Sequence, residues 1–453
     1  MTQRTDATLA QLAAALAERK VKSRELVERC IANIQDSTGE GARTFLAVTP
    51  ERALATADFH DAMRARGAAI GPYAGVPISI KDLFDVTGEI TTAGSKLLRT
   101  APPATRDAVA VARLRAAGFV ILGRTNMTEF AFSGLGLNPH YSTPRNPWER
   151  TTGRIPGGSS SGAAISITDG MAFAALGTDT GGSCRIPAAF CGIVGYKPTA
   201  RRVPRAGTFP LSMSLDSIGP LANTVACCAA VDAILADEAV HALPAVKLGG
   251  LRFGVPQSLV LDGLDADVAA AFERALGTLS SAGARIIDVP LVELKELQEI
   301  NRKGGLATAE AYAVHRKYLA TAQADYDPRV ATRILRGREQ DAADYIELLQ
   351  RRHDFIERVA AVLAPFDAML MPTVAILPPR LDAFARDEDY VRINAQVLRN
   401  PSVVNFLDGC AISIPCHERG AAPVGLSLFG LANSDRRLLA IADAAEQALQ
   451  RRR

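Results

Sequence analysis

The sequence predicts an α/β protein, and three observations lead to this fold class. A helix-like stretch at residues 105–118 runs directly into the apolar run 119–122, which is the helix-then-strand order of layered α/β folds. A second apolar run at residues 173–177 ends in a polar segment, and α/β sheets commonly carry their chemistry at such strand ends. None of the 453 residues form a long flexible linker, so we expect one large domain over residues 1–453.

The other elements follow from the spacing of apolar residues along the chain. Apolar runs predict further strands at residues 72–82, 251–255, 369–373, 411–415 and 424–428. Helical spacing predicts two helices within residues 6–36 and single helices at 50–66, 267–281, 341–363 and 435–452. The third of these helices has a clear start, because Thr49, Pro50 and Glu51 supply a cap, a first-turn proline and an early acid.

Composition restricts the possible functions of the protein. Apolar residues make up 48% and charged residues 22% of the chain, as in ordinary globular enzymes. The formal net charge of +3 is too small for a typical nucleic-acid-binding protein. Residues 9–16 are apolar on one side only and precede charged residues, which predicts neither a signal peptide nor a membrane span. We therefore expect a cytoplasmic protein with no nucleic-acid partner and no membrane partner.

The cysteines lack the spacing of a metal site. Seven occur, without a C-x-x-C pair or a histidine-rich segment beside them, at positions 30, 184, 191, 227, 228, 410 and 416. We expect reduced thiols, no metal and no cofactor.

Two Gly-Gly-Ser units indicate the chemistry. One ends at Ser159 and the other at Ser183, and an alanine-rich, helix-like segment separates them. Glycine pairs let backbone N–H groups come close to a reacting atom, and a serine at the end of such a turn is a candidate nucleophile. The pattern predicts a serine hydrolase of amide bonds.

The base that would activate the serine is less clear from the residues alone. Six histidines leave open an α/β-hydrolase-type esterase with a histidine base, because a Ser-His-Asp site is recognised by its geometry. Residues 158–162 satisfy G-x-S-x-G, but residues 154–157 before them do not have the character of the required strand. No S-x-x-K motif occurs, which disfavours a serine–lysine pair of the penicillin-binding type. Lys81 ends an apolar strand, although such a lysine is more often a surface residue.

Three segments resemble the amidase signature family. They are residues 75–82, similar to its lysine motif, residues 156–162, similar to its first serine motif, and residues 177–192, similar to its nucleophile block nearly residue for residue. The interval of 24 positions between Ser159 and Ser183 also fits this family. Further similarity at residues 214–220 and 423–426 extends the resemblance over nearly the whole chain.

The resemblance implies a more detailed fold. It implies a single α/β/α layered domain with a central mixed, mostly parallel twisted sheet flanked by helices. The catalytic core would occupy about residues 70–235 and 365–450. From the residues themselves, the change to long charged helical stretches at about 240–364 predicts a helical insert that covers the substrate.

The resemblance also implies residue roles. Ser183 would be the nucleophile, Ser159 a proton-relaying serine preceded by a cis peptide bond, and Lys81 the base. A lysine accepts that proton only when it is neutral, a state that burial among apolar groups favours. The implied oxyanion hole consists of the backbone N–H groups of Thr180, Gly181, Gly182 and Ser183. The supporting residues are Ser160, Asp179 and Arg185, of which the last two would hold the nucleophile loop by hydrogen bonds.

The substrate is less well specified by the sequence. Candidate pocket residues, for which core packing is an equal alternative, are Met127, Phe130, Phe132, Gly134, Leu135, Leu137 and Tyr141. An acyl-enzyme route serves small amides, carbamates and esters alike, because all pass through the same oxyanion. Aryl amides and urethanes are sensible candidates, since an arylamine is easier to expel.

One rival identity lies within the same family, and two positions depart from the family pattern. The rival is the glutamine-hydrolysing subunit of a tRNA-dependent amidotransferase, which needs a partner chain. Residues 310–316 and 325–337 look more like free-standing bacterial amidases, so we expect a monomer or homodimer. Met371 replaces a small hydroxyl residue and Arg124 replaces a lysine, and we expect both to affect only pocket shape or surface.

Overall fold

The computed structural model describes residues 7–68 and 71–451 and places their eleven strands in one sheet. In chain order these strands are β1 (Phe45–Val48), β2 (Pro77–Lys81), β3 (Val120–Thr125), β4 (Ala174–Asp179), β5 (Val194–Lys197), β6 (Ser217–Ala222), β7 (Arg252–Pro256), β8 (Arg285–Val289), β9 (Ala368–Pro372), β10 (Cys410–Pro415) and β11 (Gly425–Gly430). Across the sheet their order is β1-β3-β2-β4-β6-β5-β10-β11-β9-β7-β8. The predicted α/β class is confirmed.

The sheet is mixed, as predicted, but it is not mostly parallel. Among the described residues, four of the ten neighbouring pairs are parallel, namely β2–β3, β2–β4, β7–β8 and β7–β9. The other six pairs are antiparallel. A buried strand is apolar in either arrangement, so its composition does not reveal its direction. A short loop without a helix, residues 416–424, joins β10 to β11, and such a connection produces antiparallel neighbours.

Helices flank this sheet. They are α1 (Leu9–Ala17), α2 (Ser23–Gln35), α3 (Gly41–Thr44), α4 (Pro50–Ala65), α5 (Val109–Ala116), α6 (Ser161–Thr168), α7 (Arg185–Cys191), α8 (Val225–Leu235), α9 (Ala266–Ser281), α10 (Leu297–Ile300), α11 (Gly305–Ala322), α12 (Pro328–Leu335), α13 (Ala342–Leu363), α14 (Asp387–Phe406) and α15 (Asp435–Gln450). Helices α6 and α7 pack together against the central strands, and α8 and α15 form a second packed pair. Of the described helices, none combines the length and apolar character needed to cross a membrane.

Several boundaries follow from local chemistry. Helix α4 begins at Pro50 after Thr49, as the sequence predicts, but the Thr49 side chain makes no capping hydrogen bond. Helix α13 begins with a capping box, in which Asp341 and Asp344 each bind the other residue's backbone N–H. Helix α15 ends at Gln450, and residue 452 of the predicted helix lies outside the described residues.

The region predicted as a helical insert also contributes to the sheet. Strand β7, helix α9 and strand β8 lie within residues 240–364, and β7 pairs with β9 of the predicted core. Helices α10 to α13 follow them in the chain. Sequence predicted β7 but missed β8, the last strand of the sheet, in which only Val289 is buried and the other four residues are exposed or half-buried.

The parallel strands β3, β2 and β4 position the candidate site. Because they run in the same direction, their last residues Thr125, Lys81 and Asp179 lie at one edge of the sheet. Strand β6 runs antiparallel to β4, and its first residue, Ser217, pairs with Asp179. The loop that precedes β6 therefore reaches the same edge.

Candidate active site

Lys81, the last residue of β2, is fully buried at the centre of the candidate site. Its Nζ donates to Ser159 Oγ and to Thr178 Oγ1, both at 2.8 Å. Burial lowers the pKa of Lys81 to about 8, although nearby acidic groups that include Asp216 and Asp179 act in the opposite direction. The neutral fraction of this lysine therefore becomes substantial as the pH approaches 8.

Ser159 follows a cis peptide bond from Gly158, as the family resemblance implies. The backbone on both sides of this bond is held in place. The Gly158 N–H donates to the Gly134 carbonyl at 2.8 Å, and the Ser159 carbonyl accepts from the Thr128 N–H at 3.1 Å. A Cβ on Gly158 would lie 2.6 Å from the backbone nitrogen of Gly136, so this position accepts only glycine without rearrangement.

Ser183 lies in the turn between β4 and α7, with only 3% of its surface exposed. Its carbonyl accepts from the Ser160 N–H at 3.3 Å, and the Ser160 hydroxyl donates to the Thr178 carbonyl at 3.3 Å. Ser160 therefore joins the segment of Ser159 to the end of β4 and to the turn of Ser183. The turn itself needs Gly182, whose φ is +127°.

A buried ion pair fixes the turn of Ser183. The Asp179 carboxylate accepts from Arg185 Nε at 3.0 Å and Arg185 Nη2 at 2.9 Å, and both side chains are fully buried. Asn405 Nδ2 adds a bond of 2.8 Å to the same carboxylate. Burial acts to raise the pKa of Asp179, but Arg185, with smaller contributions from Lys197 and Asn405, lowers it to about 2.

Asp179 also alters the predicted oxyanion hole. Its carboxylate accepts the Gly182 N–H at 2.9 Å and the Cys184 N–H at 3.1 Å. The Gly182 amide, predicted as an oxyanion donor, is therefore engaged by Asp179 instead. The candidate donors that remain are the backbone N–H groups of Thr180, Gly181 and Ser183.

Breaking the Asp179–Arg185 pair is expected to destabilise the protein strongly. Arg185→Met leaves a buried carboxylate without its partner, which typically costs about 3 to 5 kcal/mol. Urea and thermal unfolding measure this loss. The matched control is Arg380→Met, because Arg380 pairs with Asp382 at the surface, where the two side chains are 54% and 67% exposed. Equal destabilisation by the two substitutions would contradict the prediction.

A second carboxylate supports the same turn from the other side. Thr180 Oγ1 donates to Asp216 Oδ1 at 2.5 Å, while Asp216 Oδ2 accepts the backbone N–H groups of Leu211 and Ser212 at 3.0 and 3.1 Å. Burial raises the pKa of Asp216. Asp216 therefore connects the turn of Ser183 to the loop before β6.

Arg124 differs from its predicted role. It is buried, and its Nε donates to Asp82 Oδ1 at 2.6 Å while its Nη2 donates to the Phe84 carbonyl at 2.8 Å. Because Asp82 directly follows Lys81, Arg124 anchors the segment that carries the candidate base. The prediction that Arg124 affects only pocket shape or surface is therefore wrong. Met371 is a buried residue of β9.

The candidate pocket residues differ in their surroundings, and the half-buried Leu137 packs against the apolar cluster that contains Leu135. Met127, Gly134 and Leu135 are buried in the segment that contacts Gly158 and Ser159. Phe130 is also buried, and its ring packs against Phe209, His315 and Tyr326 with centroid distances of 5.3, 4.4 and 5.2 Å.

The remaining two aromatic candidates contact arginines. The Arg333 guanidinium lies over the Phe132 ring at 4.5 Å. Arg99 lies over Tyr141 at 4.7 Å and donates to its hydroxyl at 3.0 Å. Their contact with a substrate stays a prediction.

The geometry also bears on alternative chemistry. His140 Nε2 lies 2.8 Å from Glu129 Oε1, and His315 Nδ1 lies 2.9 Å from the Tyr326 hydroxyl, whereas the group that is hydrogen-bonded to Ser159 is Lys81.

Cys184 follows Ser183, but burial raises the pKa of its thiol far above the ordinary value, so a thiolate is strongly disfavoured. In residues 7–68 and 71–451, no three His, Cys, Asp or Glu side chains form a potential metal site.

Sequence reasoning missed three residues that the structure places at the site. Thr178 is the second partner of Lys81, and Asp216 binds Thr180. Both stand in segments that resemble family motifs, and this location was the available signal. Asn405 carried no such signal, because it lies on α14, 226 positions from Asp179.

Comparison with known proteins supports a relationship over most of the chain. A family model described as Amidase matches residues 25–439. A 2-amino-5-chloromuconic acid deaminase of Comamonas testosteroni is 37% identical, and the alignment covers 96% of this chain and 94% of that protein. A glutamyl-tRNA(Gln) amidotransferase subunit from Chloroflexus aggregans is 33% identical, with 99% and 97% of the two chains covered.

A solved structure of a known amidase has a similar fold over nearly the whole chain. The peptide amidase from Stenotrophomonas maltophilia has a TM-score of 0.82 to this structure at 28% identity, and the match covers 99% of this chain and 98% of that one. The family model and the near end-to-end relatives place this chain in the amidase signature family of hydrolases, which act on carbon–nitrogen bonds.

Proposed function

We propose that this protein is a serine amidohydrolase that cleaves small amides through an acyl-enzyme on Ser183. The observation that carries this proposal is the 2.8 Å contact between the buried Lys81 amine and Ser159 Oγ, next to the turn of Ser183. A buried lysine with a lowered pKa is a suitable general base, because its neutral form accepts a proton near neutral pH.

In the proposed acylation, Ser183 Oγ attacks the carbonyl carbon of the amide. The Ser183 proton passes to Ser159, and the Ser159 proton passes to the Lys81 Nζ, which becomes an ammonium. The carbonyl oxygen takes the negative charge and accepts hydrogen bonds from the candidate backbone donors of residues 180, 181 and 183. This requires Lys81 to be neutral in the resting enzyme.

Collapse of the tetrahedral intermediate breaks the carbon–nitrogen bond. The relay returns the proton from Lys81 through Ser159 to the leaving nitrogen, which departs as a neutral amine. Water then attacks the acyl-enzyme, and the same relay takes its proton and returns one to Ser183 Oγ. The products are a carboxylic acid, the amine and the original enzyme.

The proposed substrates are small amides, with aryl amides, carbamates and esters as further candidates. All of these have a carbonyl carbon that forms the same tetrahedral oxyanion. The Comamonas testosteroni relative, a 2-amino-5-chloromuconic acid deaminase, is also named for a small-molecule substrate. A narrow site supports small substrates as well, because Ser183 is 3% exposed and Lys81 is fully buried.

We further propose that the chain acts as a monomer or homodimer, without a partner chain of different sequence. The alternative is the amidotransferase type of glutamine hydrolysis, since the Chloroflexus aggregans protein is 33% identical over nearly the full length. In support of the free-standing type, residues 310–316 and 325–337 resemble free-standing amidases.

The purified chain alone is expected to hydrolyse an aryl amide such as an acetanilide, with little activity on glutamine. The acyl-enzyme route requires only groups that this chain provides, so no partner is needed for turnover. Release of arylamine and of ammonia measures the two reactions. The control is the chain inactivated at Ser183. Glutamine hydrolysis that depends on added amidotransferase partner chains would contradict this proposal and favour the alternative.

A further inference from the structure

A cavity of about 310 Å³ adjoins the candidate active site. Its lining includes Thr178, which contacts Lys81, and Asp216, which contacts Thr180. Arg205 and Met213, from the loop that connects β5 to β6, also line it. A larger cavity of about 470 Å³ is lined by residues such as Leu243 and Ala440 instead. The smaller cavity therefore adjoins the proposed site through Thr178 and Asp216, whereas the larger one is lined by other parts of the chain.

The turn of residues 212–214, which contributes Met213 to the lining of this cavity, is held in a defined position. Glu310 of α11 accepts the hydroxyls of Ser212 and Ser214, and also the Ser214 N–H at 3.0 Å. Tyr345 donates to the same carboxylate at 2.7 Å. On the other side, Arg205 Nη1 donates to the Ser212 carbonyl at 3.5 Å and to the Met213 carbonyl. The short turn 212–214 is therefore held from both sides, by Glu310 and by Arg205.

The two charged residues of the lining differ in their capacity for further bonds. Both carboxylate oxygens of Asp216 already accept hydrogen bonds, from Thr180, Leu211 and Ser212. Arg205 is exposed, and among the described residues no carboxylate forms an ion pair with it. Its bonds to the turn use Nη1, which leaves Nε and Nη2 as potential donors. Beside the neutral Thr208 hydroxyl, which has no hydrogen-bond partner in the described part of the chain, the spare charged capacity of the cavity is therefore cationic.

We propose that this cavity is an acid subsite, in which Arg205 binds a carboxylate at the end of the substrate remote from the scissile amide. This inference rests on the proposed amidase function and specifies its substrate class, namely short amides that carry a carboxylate. An arginine suits this role because its planar guanidinium binds carboxylates through two parallel hydrogen bonds. Met213, which is 66% exposed, adds an apolar side at the rim for the intervening carbon chain.

The test compares charged and uncharged amides of the same shape. Succinamate and glutaramate are paired with their methyl ketone isosteres, levulinamide and 5-oxohexanamide, and kcat/KM is measured from ammonia release. For at least one pair, the kcat/KM of the wild-type protein is expected to be roughly tenfold to a hundredfold higher for the acid than for its isostere. This is the usual contribution of hydrogen bonds to charged groups. Arg205→Met is expected to abolish this preference, and Arg205→Glu to reverse it.

Arg201→Met is the matched control. Arg201 belongs to the same loop, but its side chain is 78% exposed and pairs with Asp408. Its replacement is expected to leave the ratio of acid to isostere unchanged. If Arg205 only holds the turn 212–214, its replacement lowers kcat/KM for both members of a pair equally, and the ratio stays constant. Such a constant ratio would overturn the acid subsite.

The outcomes also separate this inference from the proposed function. Equal turnover of acids and isosteres by the wild-type protein, lost in Ser183→Ala, would retain the amidase and overturn the subsite. Where turnover is too slow to measure, calorimetry of the same amides with Ser183→Ala gives the comparison by binding. Equal affinity for acid and isostere in that measurement likewise overturns the inference.

Discussion

Ser183→Ala is expected to lower kcat for amide hydrolysis by roughly 10⁴-fold or more, the size of effect seen when a catalytic serine is removed. The substitution removes the oxygen that attacks the carbonyl, and the remaining groups bind substrate without forming an acyl-enzyme. Steady-state hydrolysis of an aryl amide measures kcat. Intact-protein mass spectrometry with a slowly deacylating ester measures the acyl group, which is expected on the wild-type protein and absent from the variant.

Two neighbouring serines provide controls for this result. The Ser161 hydroxyl donates to the Asn126 carbonyl at 3.4 Å, so Ser161→Ala is expected to keep kcat within about tenfold of the wild type, as for a residue outside the reaction. Ser160→Ala tests the G-x-S-x-G alternative, in which Ser160 would be the nucleophile. An acyl group that persists in Ser183→Ala but disappears in Ser160→Ala would establish that alternative.

Lys81→Met is expected to lower kcat by roughly 10³-fold, in the range of a lost general base. Methionine preserves much of the apolar length of the side chain but cannot accept the proton from Ser159. The matched control is Lys197→Met. Burial also lowers the pKa of Lys197 to about 8, but its Nζ donates to the backbone carbonyls of Pro198 and Gly409 at 2.8 and 2.6 Å. We expect Lys197→Met to lower the melting temperature while the folded protein keeps most of its kcat.

The pH dependence provides an independent measure of the same base. Since the pKa of Lys81 is about 8, its neutral fraction grows as the pH rises from 6 to 9. The kcat/KM of the wild type should therefore increase with pH and reach half of its plateau near pH 8. This dependence should disappear in Lys81→Met. A half-point near 6.5 that persists in the variant would indicate a histidine base, because about 6.5 is the ordinary histidine pKa.

Contiguous motifs made much of this site predictable. Lys81, Ser159 and Ser183 each lie in a short segment with a characteristic pattern. In the structure Lys81 donates a hydrogen bond to Ser159, next to the turn that carries Ser183. Strands such as β2 and β4 were also predictable, because they are short apolar runs bounded by polar residues. The oxyanion donors were less predictable, since the Gly182 amide turns toward Asp179.

Other features depend on contacts between distant parts of the chain. The direction of β5, β6, β10 and β11 depends on which strand lies beside each, and their composition is compatible with either direction. The contact between Arg124 and Asp82 joins two adjacent strands, so its buried role had no local pattern. The Arg205 cavity likewise forms only where the loop before β6 meets the end of β4.

The sequence by itself determined the fold class, the family and the identities of the candidate nucleophile, relay and base, because these depend on residue types at fixed local spacing. The tertiary structure decided the lowered pKa of Lys81, since burial brings it to about 8. It also decided how the turn of Ser183 is held, through Arg185, Asn405 and Asp216. Hydrogen bonding and desolvation depend on distances of a few ångströms between residues far apart in the chain, and local sequence patterns do not specify those distances.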